Sequence, residues 1–229
     1  ETTFKYDSSL TTKDVSTIET NVSNAISSYN TDTLEDFTGM FRYSAIGKTI
    51  DGAESSILSN ITKVKMYKFI TPTLNSGLKY TLSFNNAFYN PHSGHNTSGG
   101  GVVSSTGFKI NNDSSVSEHF LDDDGAGNIR VYYLNGTVRV YTDSTFGTID
   151  YTTGEIILTS AHITSISNVD GAASTVVRIT VLPDSNDIVP VRNQVLSIDT
   201  ANSTISGSVD TIESGSSQAG TSYTTTSSY

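Results

Sequence analysis

The chain has 229 residues, with 13 Lys and Arg against 23 Asp and Glu and no cysteine. That length buries a real core as one large domain or two small ones, and a net charge of −10 lacks the basic footprint that binds nucleic acid or an anionic membrane. Without cysteine there is no disulfide framework, thiolate zinc site or cysteine nucleophile. No stretch approaches the roughly 20 apolar residues of a membrane-spanning helix. Glu1 in place of Met predicts a processed chain or a piece of a longer one. The 35 Ser and 33 Thr, about 30% of the chain, suit extended surfaces, turns and subunit contacts better than a catalytic globule.

In chain order, Thr3 to Tyr6 reads as a strand. Val15, Ile18, Val22, Ile26 and Tyr29 recur at steps of three and four, which predicts one amphipathic helix. Thr11 with Asp14 three residues later is its expected N-terminal cap. Ile46, Ile50, Ala53 and Ile57 predict a second helix, with Ser44 near its start. The run Ile61 to Ile70 alternates as one extended piece ended by Pro72, and Leu78, Tyr80, Leu82 and Phe84 form one face of another strand. Together, residues 1–90 read as a small α/β layer.

Pro91 to Gly101, PHSGHNTSGGG, has no hydrophobic period and is assigned as a linker or loop. Residues 102–182 read as a β-rich domain of hairpins. The first joins Arg130–Leu134 to Thr137–Tyr141 through Asn135-Gly136, a dipeptide that tolerates positive φ at both positions. The second joins Gly147–Tyr151 to Glu155–Thr159, and a third pairs Ile163–Val169 with Thr175–Leu182 across Asp170-Gly171. Residues 183–213, broken by Pro183 and Pro190, read as an extended arm that packs on something else, and residues 214–229 as a flexible Ser/Thr tail. The charge is uneven: residues 1–80 hold 8 basic and 9 acidic groups, and residues 81–229 hold 5 and 14.

No motif in the chain specifies a chemistry. His92 and His95 have a metal-ligand spacing, but their Gly-rich surroundings lack a nearby carboxylate and favour an ordinary polar loop. Asp122, Asp123 and Asp124 before Gly125 resemble the start of a calcium loop, yet Tyr133 stands where the closing Glu belongs, so the run reads as a solvated turn. No G-x-S-x-G elbow joins a serine to His119 or His162, and Gly99-Gly100-Gly101 precedes a strand rather than a helix. Lys63, Lys65, Lys68 and Lys79 read as solvated edge-strand lysines. The six N-x-S/T sequons match what 17 Asn among so many Ser and Thr yield by chance. No catalytic residue, cofactor or metal ligand is assigned.

Residues 1–70, through VSTIETNVSNAISSYN and FRYSAIGKTIDGAESSILSNI, resemble the C-terminal part of baseplate J-like wedge proteins of contractile-tailed phages. GTIDYTTGEIIL is similar to a hairpin of phage tail structural proteins. LPDSNDIVPVRNQVLSID with the Ser/Thr-rich end is similar to the terminus of the large wedge subunit of myoviruses infecting marine bacteria. Region 90–128 has no counterpart there and reads as an insertion. The resemblance implies a non-enzymatic structural subunit in the virion tail baseplate, made in the host cytoplasm. Such subunits pair with themselves as homodimers, join other wedge proteins and close a ring around the tail hub.

The expected architecture is therefore α+β: an N-terminal α/β layer with two helices, a β-rich hairpin insertion and an extended C-terminal arm. The expected interface residues are Val189, Val191, Val195, Leu196 and Ile198 on the arm, apolar on a segment too thin to bury them. Phe41, Ile46 and Ile50 at the second helix follow, with core packing as their alternative. A receptor- or glycan-binding β module, with Tyr132, Tyr133 and Tyr141 as a stacking platform, is the competing reading.

Overall fold

The computed structural model describes residues 1–95, 101–113, 115–116, 118–191 and 194–211, and the fold is α+β with mostly strand content. The tail assigned to 214–229 lies outside the described residues. In chain order these residues form β1 (Thr2–Tyr6), α1 (Val15–Tyr29), α2 (Tyr43–Asp51), β2 (Ile57–Thr62), β3 (Met66–Ile70), β4 (Ser76–Ser83), β5 (Val103–Ser105) and β6 (Phe108–Ile110). They continue with β7 (Phe120–Asp123), β8 (Asn128–Asn135), β9 (Val138–Asp150), β10 (Glu155–Ile166), β11 (Val177–Val181) and β12 (Ile205–Val209). A π-helical turn at Asn30–Leu34 and a 3-10 turn at Asn111–Asp113 complete the set. Two compact units result, Glu1–Lys63 with Asp187–Tyr229, and Val64–Asn186.

In the first unit β1 is the central strand, parallel to β12 and antiparallel to β2. Its alternation puts Thr2, Phe4 and Tyr6 on the buried face and Thr3 and Lys5 outside. On α1 the apolar stripe is buried as the periodicity predicts, through Ile18, Val22, Ile26 and Tyr29. The cap differs from expectation. Asp14 caps α1 by accepting from Thr17 N at 2.9 Å, whereas Thr11 Oγ1 accepts from Lys13 N one turn earlier. Helix α2 ends at Asp51, because Gly52, a poor helix former, follows it, and Ile57 opens β2 instead of extending the helix. Gly207 on β12 lies opposite Phe4, where an added Cβ would run into the Phe4 ring and come within 2.9 Å of Val15 Cγ2.

In the second unit β4-β10-β9-β8-β7 form one sheet, with β6 also pairing with β10, and β3-β11-β5 form another. Both contribute to one apolar core, to which β11 brings Val177, Ile179 and Val181 at 0, 0 and 1% exposure. The alternation of β10 is reset by an irregularity between Leu158 and Ala161, which keeps Ile156, Leu158, Ala161 and Ile163 all buried.

The first two hairpins form, with one adjustment. Asn135 pairs with Val138, so the central residues are Gly136 and Thr137, and Gly136 carries the positive φ of 65°. In the β9/β10 hairpin Asp150 pairs with Glu155, and its Oδ1 accepts from the amides of Thr152 and Thr153. The third hairpin is only a turn. Asp170 and Gly171 have φ of 53° and 80° across the Val169–Ala172 bridge, but the chains then part. Ile163 pairs into the large sheet while β11 pairs along its two edges with β3 and β5.

The division of the chain differs from the boundary expected at 91–101. The single extended run expected over 61–70 breaks at Lys63–Lys65, with β2 paired to β1 and β3 to β11. Strand β4 pairs with β10, so residues 64–90 hydrogen-bond within the β-rich unit. The arm, expected to lean on another body, is bound to the chain's own first unit. Phe41 and Ile188 exchange both backbone hydrogen bonds at 3.0 Å, Ile198 N donates to Asn30 Oδ1 at 2.6 Å, and β12 completes the sheet.

Candidate functional site

The arm crosses the loop before α2 at the Phe41–Ile188 bridge. These two side chains point inward, at 9 and 4% exposure. By antiparallel alternation the flanking pairs point outward. On one side Arg42 Nη1 meets Asp187 Oδ2 at 2.9 Å, and Asp187 Oδ1 also accepts from Tyr43 N at 2.8 Å, at the first residue of α2. The Tyr43 amide, then Arg42, holds the Asp187 carboxyl below the usual carboxylate range. On the other side Met40 stands opposite Val189, and both are exposed, at 40 and 47%.

Val191 and Val195 are exposed farther along the arm, Phe37 is 76% exposed in the preceding loop, and Leu196 and Ile198 are half-buried. Phe41, Ile46 and Ile50 belong to the interior of their own unit, at 9, 3 and 0% exposure. They pack as core, because α2 turns this face onto the sheet and α1. Phe37 and Met40 escape a reading by period, since the steps of three that join them to Leu34 in TDTLEDFTGM are too few to define a buried face. Their signal is three large apolar residues, Leu34, Phe37 and Met40, in a short polar stretch that buries only the first.

The acidic run and the tyrosines prove to be one construction. Asp122 and Asp123 do not form a solvated turn; they lie on β7 at 1 and 0% exposure. Arg130, opposite Asp122 on β8, donates to Asp122 from Nε at 2.9 Å and Nη2 at 3.2 Å, and to Asp123 O at 2.8 Å. Arg139 and the Tyr141 hydroxyl also donate to Asp122, at 2.7 and 2.8 Å. Asp123 accepts from Val103 N at 2.9 Å and from the Tyr151 hydroxyl at 2.7 Å.

Guanidinium groups cover the rings, Arg130 over Tyr141 at 4.2 Å and Arg139 over Tyr132 at 4.5 Å. Burial, and then Asp122, push the Tyr141 phenol up, and burial followed by Asp123 does the same more strongly for Tyr151. Tyr132 is 8% exposed between Phe120 and Tyr141, and Tyr133 faces the other side of the sheet beside His119. Tyr132 is thus buried and Tyr133 lies on the opposite face from it, so the three rings share no common exposed platform. These carboxylates hold β7, β8 and β9 together.

His119 is fully buried, with Nε2 3.3 Å from Asp113 Oδ2 and Nδ1 unpartnered among the described residues. Lys68 does not belong to a solvated stripe, since its Nζ donates to Ser83 O at 2.7 Å and burial lowers its pKa. A shallow cleft of about 560 Å³ is lined by Phe88, Asn90, Gly125, Asp150, Tyr151 and Asp184, among others. Asn90 Oδ1 is buried there without a hydrogen-bond partner among the described residues. Beside that loop the His92 and His95 rings meet at 5.0 Å between centroids. Among the described residues no set of three or more His, Asp or Glu side chains is arranged to hold a metal. No helix of the described residues is long and apolar enough to cross a membrane.

Residues 1–69 match the model of the family described as baseplate structural protein gp6, C-terminal domain III. The match spans β1, α1, α2 and β2 and runs into β3, under a third of the chain. Over this span the chain is similar to a phage baseplate structural protein, which supports a structural role in the virion tail. No curated protein matches the chain.

Proposed function

We propose that the chain is a non-enzymatic subunit of a phage baseplate wedge of the baseplate J-like kind, which self-associates as a homodimer and joins other wedge proteins in the ring around the tail hub. The observation that carries this reading is the family match over 1–69, most of it in the unit that also exposes Phe37, Met40, Val189, Val191 and Val195. Exposed apolar side chains of this size, grouped on one loop and one arm, are what a subunit contact buries.

The test is solution mass by light scattering across a concentration series. Deleting the arm is unsuitable, because it would remove β12 and the Asp187 contact with α2. The variant is instead Phe37→Ser/Met40→Ser/Val189→Ser, whose side chains are 76, 40 and 47% exposed. The native chain is expected to dimerise, and the variant to be monomeric, with each exposed substitution changing stability by only about 0.5 kcal/mol. A native chain that stays monomeric at every concentration, or a variant that dimerises equally well, would sink the proposal.

A further inference from the structure

We propose that His92 and His95 form a bidentate chelate for one divalent transition-metal ion, through His92 Nε2 and His95 Nδ1. The two histidines sit on a built turn. His95 N donates to His92 O at 3.1 Å, Gly94 takes the positive φ of 75° that a turn demands, and Gly94 N is tied to Gly125 O at 2.9 Å. The rings are steadied as well: Tyr89 packs edge-on against His95 at 5.6 Å, and His92 Nδ1 lies 3.2 Å from Ser93 O.

A carbonyl only accepts, so His92 Nδ1 carries the proton and Nε2 presents its lone pair outward. An imidazole whose second nitrogen donates to a backbone carbonyl is the usual outer support of a metal-bound histidine. His92 Nε2 and His95 Nδ1 are 3.4 Å apart. That is long for a hydrogen bond, but two ligands at about 2.05 Å from a tetrahedral ion stand about 3.35 Å apart.

The ring centroids give an independent check. Two rings aimed at such an ion have centroids about 5.2 Å apart, whereas a collinear hydrogen bond of this length would put them at about 5.7 Å. They are observed at 5.0 Å. Both separations are close to those of two imidazoles sharing one tetrahedral ion, and imidazole pairs of this kind suit Zn²⁺, Ni²⁺ and Cu²⁺. Two protein ligands leave further positions to water in the isolated chain.

The experiment is calorimetric titration of the whole chain with zinc, nickel and copper(II) chlorides in a non-coordinating buffer, together with electron paramagnetic resonance of the copper form. One ion per chain is expected, with affinity rising from zinc to copper and two nitrogens in the copper spectrum. His92→Ala and His95→Ala should each weaken binding at least about tenfold, the loss of one arm of the chelate. Circular dichroism of both variants should match the native chain, since these side chains project from a loop. Absence of binding, a single coordinated nitrogen, or unchanged affinity in either variant would overturn the proposal.

Discussion

Replacing Asp122 by Ala should cost unit Val64–Asn186 about 4 kcal/mol, because it strands a buried charge. The magnitude follows from which partner can recover. Arg139 has 34% of its side chain exposed and turns to water, so losing that pair costs little. Tyr141 is only half-buried and recovers likewise. Arg130 cannot, at 7% exposure; it loses its bonds to the carboxylate, and the Asp123 carbonyl and the Tyr141 ring that remain beside it carry no charge to balance its own. With a urea m-value of about 2 kcal/mol per molar, the midpoint falls by about 2 M.

Hydrogen exchange should place the loss on β7 and β8 rather than on α1. Asp122→Leu with Arg130→Met should recover most of the stability, as apolar replacements of buried pairs do, whereas Arg139→Ala should cost under about 1 kcal/mol. A loss below about 1 kcal/mol in Asp122→Ala, or no recovery in the double variant, would refute the argument that Arg130 is the trapped charge.

Gly207→Ala should destabilise the first unit by about 1–3 kcal/mol through overpacking against Phe4, and Phe4→Leu should relieve part of it; equal melting of Gly207→Ala and the native chain would refute this. Alkali should unfold the second unit through Tyr151, whose phenol is raised above the ordinary 10.0 by burial and Asp123. Because the folded group holds its proton longer than the unfolded one, its contribution is fully present below pH 10 and is lost as pH rises beyond it. Tyr151→Phe should therefore flatten the alkaline limb of a stability–pH profile, and an unchanged limb would show that the phenol does not carry it.

The elements with local signatures were legible, and those defined by distant partners were not. The stripe Val15–Tyr29 and the Gly136 and Gly154 hairpins announce themselves because period and turn chemistry act within a few residues. The pairing of Thr2–Tyr6 with Ile205–Val209 has no such mark, since nothing near either strand specifies a parallel neighbour 203 positions away. Nor could DDDG be distinguished from a solvated turn. Only the register that sets Asp122 opposite Arg130, with Arg139 and Tyr141 on the next strand, makes burial of those carboxylates tolerable. The arm valines were visible as apolar residues on a thin segment, whereas Met40 required the bridge that sets it beside Val189.

The discontinuity of the first unit orders events on the ribosome. Residues 64–186 are contiguous and can close both sheets as soon as β11 emerges. The sheet around β1 must wait for Ile205–Val209, so Thr2–Tyr6 keeps one edge open while the residues between them are made. Strand β12 thus seals an edge of a strand made 203 positions earlier, and a chain interrupted between the two carries that edge unsealed.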